Sequence, residues 1–151
     1  MRQLVAKIIL FLVILFLVDT ALGICFQTLV DSAKGGETRR VNYICKQTSE
    51  DLLIFGSSRA LHHYDPLLLE DSLQMSCYNC GKDGNGIILL YGWFKMIQQR
   101  YHPQMIVYDV MPNFDLWKGD NMAYLPGLRY YYGEPAVDSI FWSVDKNERF
   151  K

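Results

Sequence analysis

Three short polar clusters in this chain hold residues suited to acyl transfer, and each follows an apolar run. The first is Gly56-Ser57-Ser58-Arg59, the second runs from Asn79 through Gly81 to Gly84, and the third is Met111-Pro112-Asn113. In order they offer a hydroxyl at a tight strand-to-helix turn, a glycine whose N–H can come close to an oxyanion, and a side-chain amide donor. Each also has an ordinary structural reading. Ser58 is a natural helix cap, Gly84 and Gly86 are natural turn residues, and Asn113 is suited to holding a loop through its amide. Singly none decides the matter, but the ordered combination favours a nucleophile with oxyanion donors.

The neighbours of Ser58 widen the candidate site. His62 and His63 follow it by four and five residues, with Asp65 the only nearby carboxylate to orient an imidazole, so a surface or loop-stabilising role is favoured over a catalytic one for both, and with Arg59 they are the candidates for substrate binding. Arg59 could bind an anionic group of a substrate, such as a uronate or phosphate, or form a salt bridge at the helix start; the salt bridge is slightly favoured. Other chemistries fit less well. Gly81-x-x-Gly84-x-Gly86 precedes a helix but has neither the dinucleotide spacing nor a Gly-Lys-Ser/Thr. Cys77 and Cys80 flank Tyr-Asn at a strand end and lack the helix N-terminus of a redox pair and the second pair of a zinc site, so a structural role is expected. No metal or cofactor is expected. Tyr91, Trp93, Trp117, Tyr124 and residues 130–132 could line a sugar site, although such aromatics more often pack cores.

The elements that must position these clusters alternate between two periods. Residues 51–55, 74–78 and 104–110 read as strands, while 66–73 and 87–101 have helical spacing, the first with Pro66 in its opening turn. Strands alternating with helices of this length predict an α/β domain with a parallel sheet, and the unbroken apolar run at 52–55 suits a strand buried on both faces. Residues 115–151, broken by glycines and prolines, read as loop with one short helix. Three strands fall short of the usual five or so of an open parallel sheet, so an incomplete domain is expected.

Half of the 151 residues are apolar and the net charge is −1, which excludes a disordered tail and a nucleic-acid binder. The first 30 residues look like a membrane segment: Arg2 and Lys7 precede an unbroken apolar run at 8–18, and a milder stretch follows Asp19. A carboxylate central in such a span costs about 2.5 to 3.5 kcal/mol, which a dozen strong apolar neighbours outweigh. An uncleaved anchor is favoured over a cleaved signal peptide ending at Ala21-Leu22-Gly23. With the only early positive charges, Arg2 and Lys7, lying before the apolar run, the N-terminus is expected in the cytoplasm and the rest outside it. Residues 31–50 read as a connector containing Gly35-Gly36, and 51–151 as the α/β domain. Four cysteines, one beside the membrane, suggest no disulfide framework.

Over about residues 50–115 these blocks resemble the SGNH or GDSL hydrolases, whose first block is Gly-Asp-Ser at the end of the first strand. Gly56-Ser57-Ser58 matches it with Ser57 in place of the aspartate, a variant similar to the branch of alginate and peptidoglycan O-acetyltransferases and the teichoic-acid D-alanylation protein. Asn79 to Gly84 matches the Asn-x-x-x-x-Gly block, while the Gly-x-Asn-Asp block matches only at Asn113. The resemblance implies a flavodoxin-like sheet with Ser58 as nucleophile, and an oxyanion held by the N–H groups of Ser58 and Gly84 and the Asn113 amide. It also implies a membrane-anchored serine esterase or O-acyltransferase acting outside the cytoplasm on an acyl ester or cell-envelope glycan. The family's Asp-x-x-His block is absent, so the chain is expected to be truncated before it and inactive by itself. The alternative is a non-catalytic, membrane-anchored accessory protein or degenerate fragment.

Overall fold

A computed structural model describes residues 2–116, 121 and 124–144, the side chains of 113, 114 and 125 excepted. The chain divides into two compact units, 1–42 and 43–151.

The first unit is dominated by helix α1 (Arg2–Asp31), a single 30-residue helix with no buried residue. At 1.5 Å per residue it is about 45 Å long. Among the described residues it is the one helix long and apolar enough to cross a membrane. The run passes through Asp19 without a break, so the helix is longer than the strictly apolar stretch. Thr20 and Thr28 return their hydroxyl protons to the carbonyls of Phe16 and Ile24, both at 2.8 Å, which satisfies them within the helix. The region expected as a connector is not irregular throughout, because residues Gly36–Lys46 form helix α2. Glu37 in its first turn and Lys46 in its last suit the helix dipole.

The second unit holds an α/β sheet of three parallel strands, β1 (Leu52–Gly56), β2 (Cys77–Asn79) and β3 (Met105–Asp109), in the order β2-β1-β3. Leu52 pairs with Cys77 on one side and with Met105 on the other. All five residues of the central β1 are buried, as its unbroken apolar run requires. The outer β3 is different: Met105 and Ile106 are 46% and 43% exposed. Between β1 and β2 lie α3 (Ser58–His63) and α4 (Pro66–Leu73), and between β2 and β3 lies α5 (Ile87–Gln98). Helix α5 buries Leu89, Leu90, Trp93, Met96 and Ile97. Just beyond it, the Arg100 guanidinium donates to the carbonyls of Ile44, Cys45 and Thr48 at 3.2, 3.1 and 2.8 Å, satisfying groups that the end of α2 leaves open.

The chain after β3 is more helical than its glycines and prolines suggest. It forms α6 (Pro112–Asp115), α7 (Leu125–Leu128), a 3₁₀ turn (Arg129–Tyr131) and α8 (Pro135–Val144). Pro135 starts α8 rather than breaking it, and Ala136, Val137, Ile140 and Phe141 form a buried face as the helix packs on α5. Leu128 fills the space over Gly92, where an added Cβ would lie 2.5 Å from its Cδ2. Trp93, Tyr124 and Tyr131 are buried core aromatics, Tyr91 and Tyr132 are exposed, and Trp117 lies outside the described residues.

Candidate functional site

The carboxyl ends of all three strands meet at α3. At Gly56 the backbone has φ +150°, and a Cβ there would lie 2.6 Å from that of Ala60 and 3.0 Å from the Cβ and carbonyl oxygen of Asp109. Only glycine lets the first turn of α3 close so tightly onto the strand ends. Ser57 comes next, 2% exposed, its hydroxyl 3.5 Å from the Met111 sulfur. Ser58 opens α3 and is half-buried. The residue in the capping position is Ser57, without a side-chain capping bond, so Ser58 does not cap its helix. Among the described residues the Ser58 hydroxyl has no hydrogen-bond partner.

On the β2 side, the chain keeps pairing with β1 after the strand ends: Cys80 N–H donates to the Ile54 carbonyl at 2.7 Å and Lys82 N–H to that of Gly56 at 2.9 Å. Asn79 joins this loop to α3. Its amide donates to the carbonyls of Ala60 and Tyr64 at 2.8 and 2.9 Å, while its oxygen accepts from Gly81 N–H at 2.9 Å. Gly81 sits so near α3 that a Cβ would be 2.6 Å from the Leu61 nitrogen. Gly84, by contrast, has φ +65° and open space where a side chain would be, so its need for glycine is conformational.

On the β3 side, Arg59 forms a two-pronged pair with Asp109. Nε donates to Oδ2 at 2.7 Å, Nη2 donates to Oδ1, and Nη2 also reaches the Val110 carbonyl at 3.0 Å. The hydrogen bond from Arg59 holds the Asp109 carboxyl below the usual carboxylate range, despite its burial. Of its two expected roles, Arg59 adopts the salt bridge, and its partner is the end of β3 rather than a neighbour on α3. Asp115 stiffens the following turn by accepting from the Tyr108 hydroxyl at 2.6 Å and Met111 N–H at 2.7 Å. Burial, then this bond, push the Tyr108 hydroxyl up. Asn121 donates to the Asp115 carbonyl at 2.6 Å and accepts from Ile88 N–H at 3.3 Å, linking the turn to the start of α5.

Compared with family models, curated proteins and solved structures, the chain has no match in any of the three. Its site therefore stands on its own geometry.

That geometry places Ser58 at the start of α3, between neighbours that touch the loop after β2 (Gly56 with Lys82) and the turn after β3 (Ser57 with Met111, Arg59 with Asp109). The Asn113 side chain lies outside the described residues, although its backbone belongs to α6. Neither histidine is hydrogen-bonded to Ser58: His62 Nε2 lies 3.0 and 3.2 Å from the Asp83 oxygens, and His63 is exposed, its charge helping to lower Asp109. Asp65 caps α4, its carboxylate accepting from Leu67 N–H at 3.0 Å, and so orients no imidazole. Sequence reasoning missed Asp83, Asp109 and Asp115. Asp83 lies one residue before Gly84, inside a block already singled out, whereas Asp109 and Asp115 carry no local signature, because their partners are 50 and 7 residues away. Cys77 and Cys80 are buried and not joined in a disulfide. Among the described residues no cluster of His, Cys, Asp or Glu is arranged to hold a metal ion.

Proposed function

We propose that the second unit is an SGNH-type domain, flavodoxin-like in architecture, whose Ser58 is the nucleophile of a serine esterase or O-acyltransferase, tethered by α1 with the domain outside the cytoplasm. The observation that carries this is the position of Ser58: at the carboxyl end of the central strand, flanked by the ends of both neighbours, with a hydroxyl that neither caps the helix nor bonds elsewhere among the described residues. In this reading Oγ attacks an acyl carbonyl and gives up its proton to a base. The carbonyl oxygen becomes an oxyanion facing the Ser58 and Gly84 N–H groups and the Asn113 amide, and the leaving alcohol departs with the proton. Water or a sugar hydroxyl then resolves the acyl-serine. The substrate class proposed is an acyl ester or a cell-envelope glycan.

The base is the unfilled role. The sequence holds His62, His63 and His102 and no Asp-x-x-His arrangement, so acylation of this chain is expected to be slow. In proteases that lose triad members, oxyanion stabilisation and binding alone still leave roughly 10³–10⁴-fold catalysis over water. The test is to incubate the chain with an activated acetate ester, quench in acid and map the acetylated peptide by mass spectrometry. Acetyl on Ser58, absent from Ser58→Ala, supports the proposal; acetyl confined to lysines contradicts it.

A second reading, a non-catalytic accessory protein, is favoured by one observation. His62 faces Asp83 and Arg59 faces Asp109, and among the described residues no side chain is hydrogen-bonded to Ser58 to act as its base. Complete inertness of Ser58 towards both the ester and a fluorophosphonate decides for it.

A further inference from the structure

Asp19 lies near the middle of α1, and among the described residues it has neither a hydrogen bond nor an ion pair. The nearest basic residues of the helix are Lys7 and Arg2, 12 and 17 positions earlier. At 1.5 Å per residue these are about 18 and 25 Å away along the axis, beyond the reach of either side chain. Asp19 is not isolated on the surface of α1. Gly23 and Gln27 follow at four-residue spacing and so lie along the same face. Nothing lies within 4 Å of where a Gly23 side chain would be, so a neighbouring backbone can approach there. Around this stripe the helix surface is apolar, with Leu15, Phe16, Leu22 and Phe26 all exposed.

From this we infer that the Asp19–Gly23–Gln27 face of α1 docks a transmembrane helix of another protein that carries a lysine or arginine at the depth of Asp19. The inference rests on the reading of α1 as a membrane span. A carboxylate at that depth needs a cation or donor beside it, and charged residues inside a bilayer face a partner rather than lipid. A second copy of this chain supplies a second carboxylate and no cation, so it does not answer the need. Charge therefore selects a different, basic partner, and the glycine one turn on provides close approach.

The experiment uses the full chain, donor-labelled, in phosphatidylcholine vesicles with acceptor-labelled poly-leucine transmembrane peptides carrying either one central arginine or none. Energy transfer above random mixing is expected only with the arginine peptide, falling at least tenfold in Asp19→Leu and Asp19→Asn. Equal transfer to the all-leucine peptide, transfer that persists in Asp19→Leu, or transfer between two copies of the chain overturns the inference. Full transfer in Asp19→Asn overturns the charge argument as well. Flotation after a carbonate wash separates the two layers: a chain that fails to float removes the membrane reading and this inference together, whereas a chain that floats without arginine preference removes only the inference.

Discussion

The guanidinium of Arg59 grips both oxygens of the Asp109 carboxylate, so one ion pair joins the residue after Ser58 to the last residue of β3. Asp109 is 8% exposed, whereas the Arg59 side chain is about half exposed. Removing Arg59 strands a carboxylate that cannot reach water easily. Arg59→Ala is therefore expected to lower the urea midpoint of the domain, by less than the loss of one partner of a fully buried pair would, because solvent screens the arginine. Urea unfolding at neutral pH measures this.

The same pair sets an acid limit. Because Arg59 lowers the folded-state pKa of Asp109, its stabilisation is complete above the unfolded value of about 3.9 and disappears as pH falls through the lower folded value. Stability followed from pH 6 down to pH 2 is expected to fall less steeply in Asp109→Asn than in the parent chain. Parallel curves for the two proteins would contradict the assignment.

Asn79 donates to the carbonyls of Ala60 and Tyr64 and accepts from Gly81 N–H, and beside the His62–Asp83 contact it ties the Gly81–Gly84 loop to α3. Asn79→Ala leaves these groups unsatisfied and is expected to cost about 2–3 kcal/mol. Asn79→Asp is expected to be no better, since a carboxylate cannot donate to the Ala60 and Tyr64 carbonyls. Thermal unfolding of both variants checks this, and a rescue by aspartate would show that the donor bonds are unimportant.

The two positive-φ glycines of the site separate by mechanism. An alanine at Gly56 collides with Ala60 and with the Asp109 backbone, while one at Gly84 meets nothing and suffers only the left-handed conformation. Gly84→Ala is expected to cost about 1–2 kcal/mol and to fold, whereas Gly56→Ala is expected to cost about 3 kcal/mol or more. Denaturant midpoints for the pair would reveal a reversed order.

Cys45 is 1% exposed, and burial pushes its thiol up to about 12. Since the folded pKa is raised, its contribution to stability is present below the unfolded value of about 8.5 and is lost as pH rises through about 12. At pH 8 iodoacetamide is expected to leave Cys45 unmodified in the folded chain and to modify it in urea, with peptide mass spectrometry as the readout.

Much of the scaffold was legible in local sequence. Apolar runs at 51–55, 74–78 and 104–110 mark the three strands, although β2 begins only at Cys77 because Gln74 closes α4, and Pro66 marks the start of α4 where the structure has it. The tail was misjudged, because Pro135 looks like a breaker until the buried spacing of Ala136, Val137, Ile140 and Phe141 is weighed with it. The helix within the connector is hidden in the sequence for another reason. Helix α2 is mostly polar, and what secures its end is Arg100, more than 50 residues on. At the site, Ser58 and Gly84 announce themselves through turn chemistry. The carboxylates that fix their surroundings do not, since Asp109 and Asp83 gain meaning only when the sheet brings Arg59 and His62 to them.

The most direct test is fluorophosphonate labelling of the intact chain, with the modified residue located by peptide mass spectrometry. Ser57 and Ser58 are adjacent, but only Ser58 has a half-buried hydroxyl without a partner, while Ser57 is buried against Met111. Slow labelling on Ser58, abolished by Ser58→Ala and retained in Ser57→Ala, is the expected result. Labelling that survives in Ser58→Ala, or none above the level of the urea-unfolded chain, would contradict the assignment of Ser58 as a nucleophile.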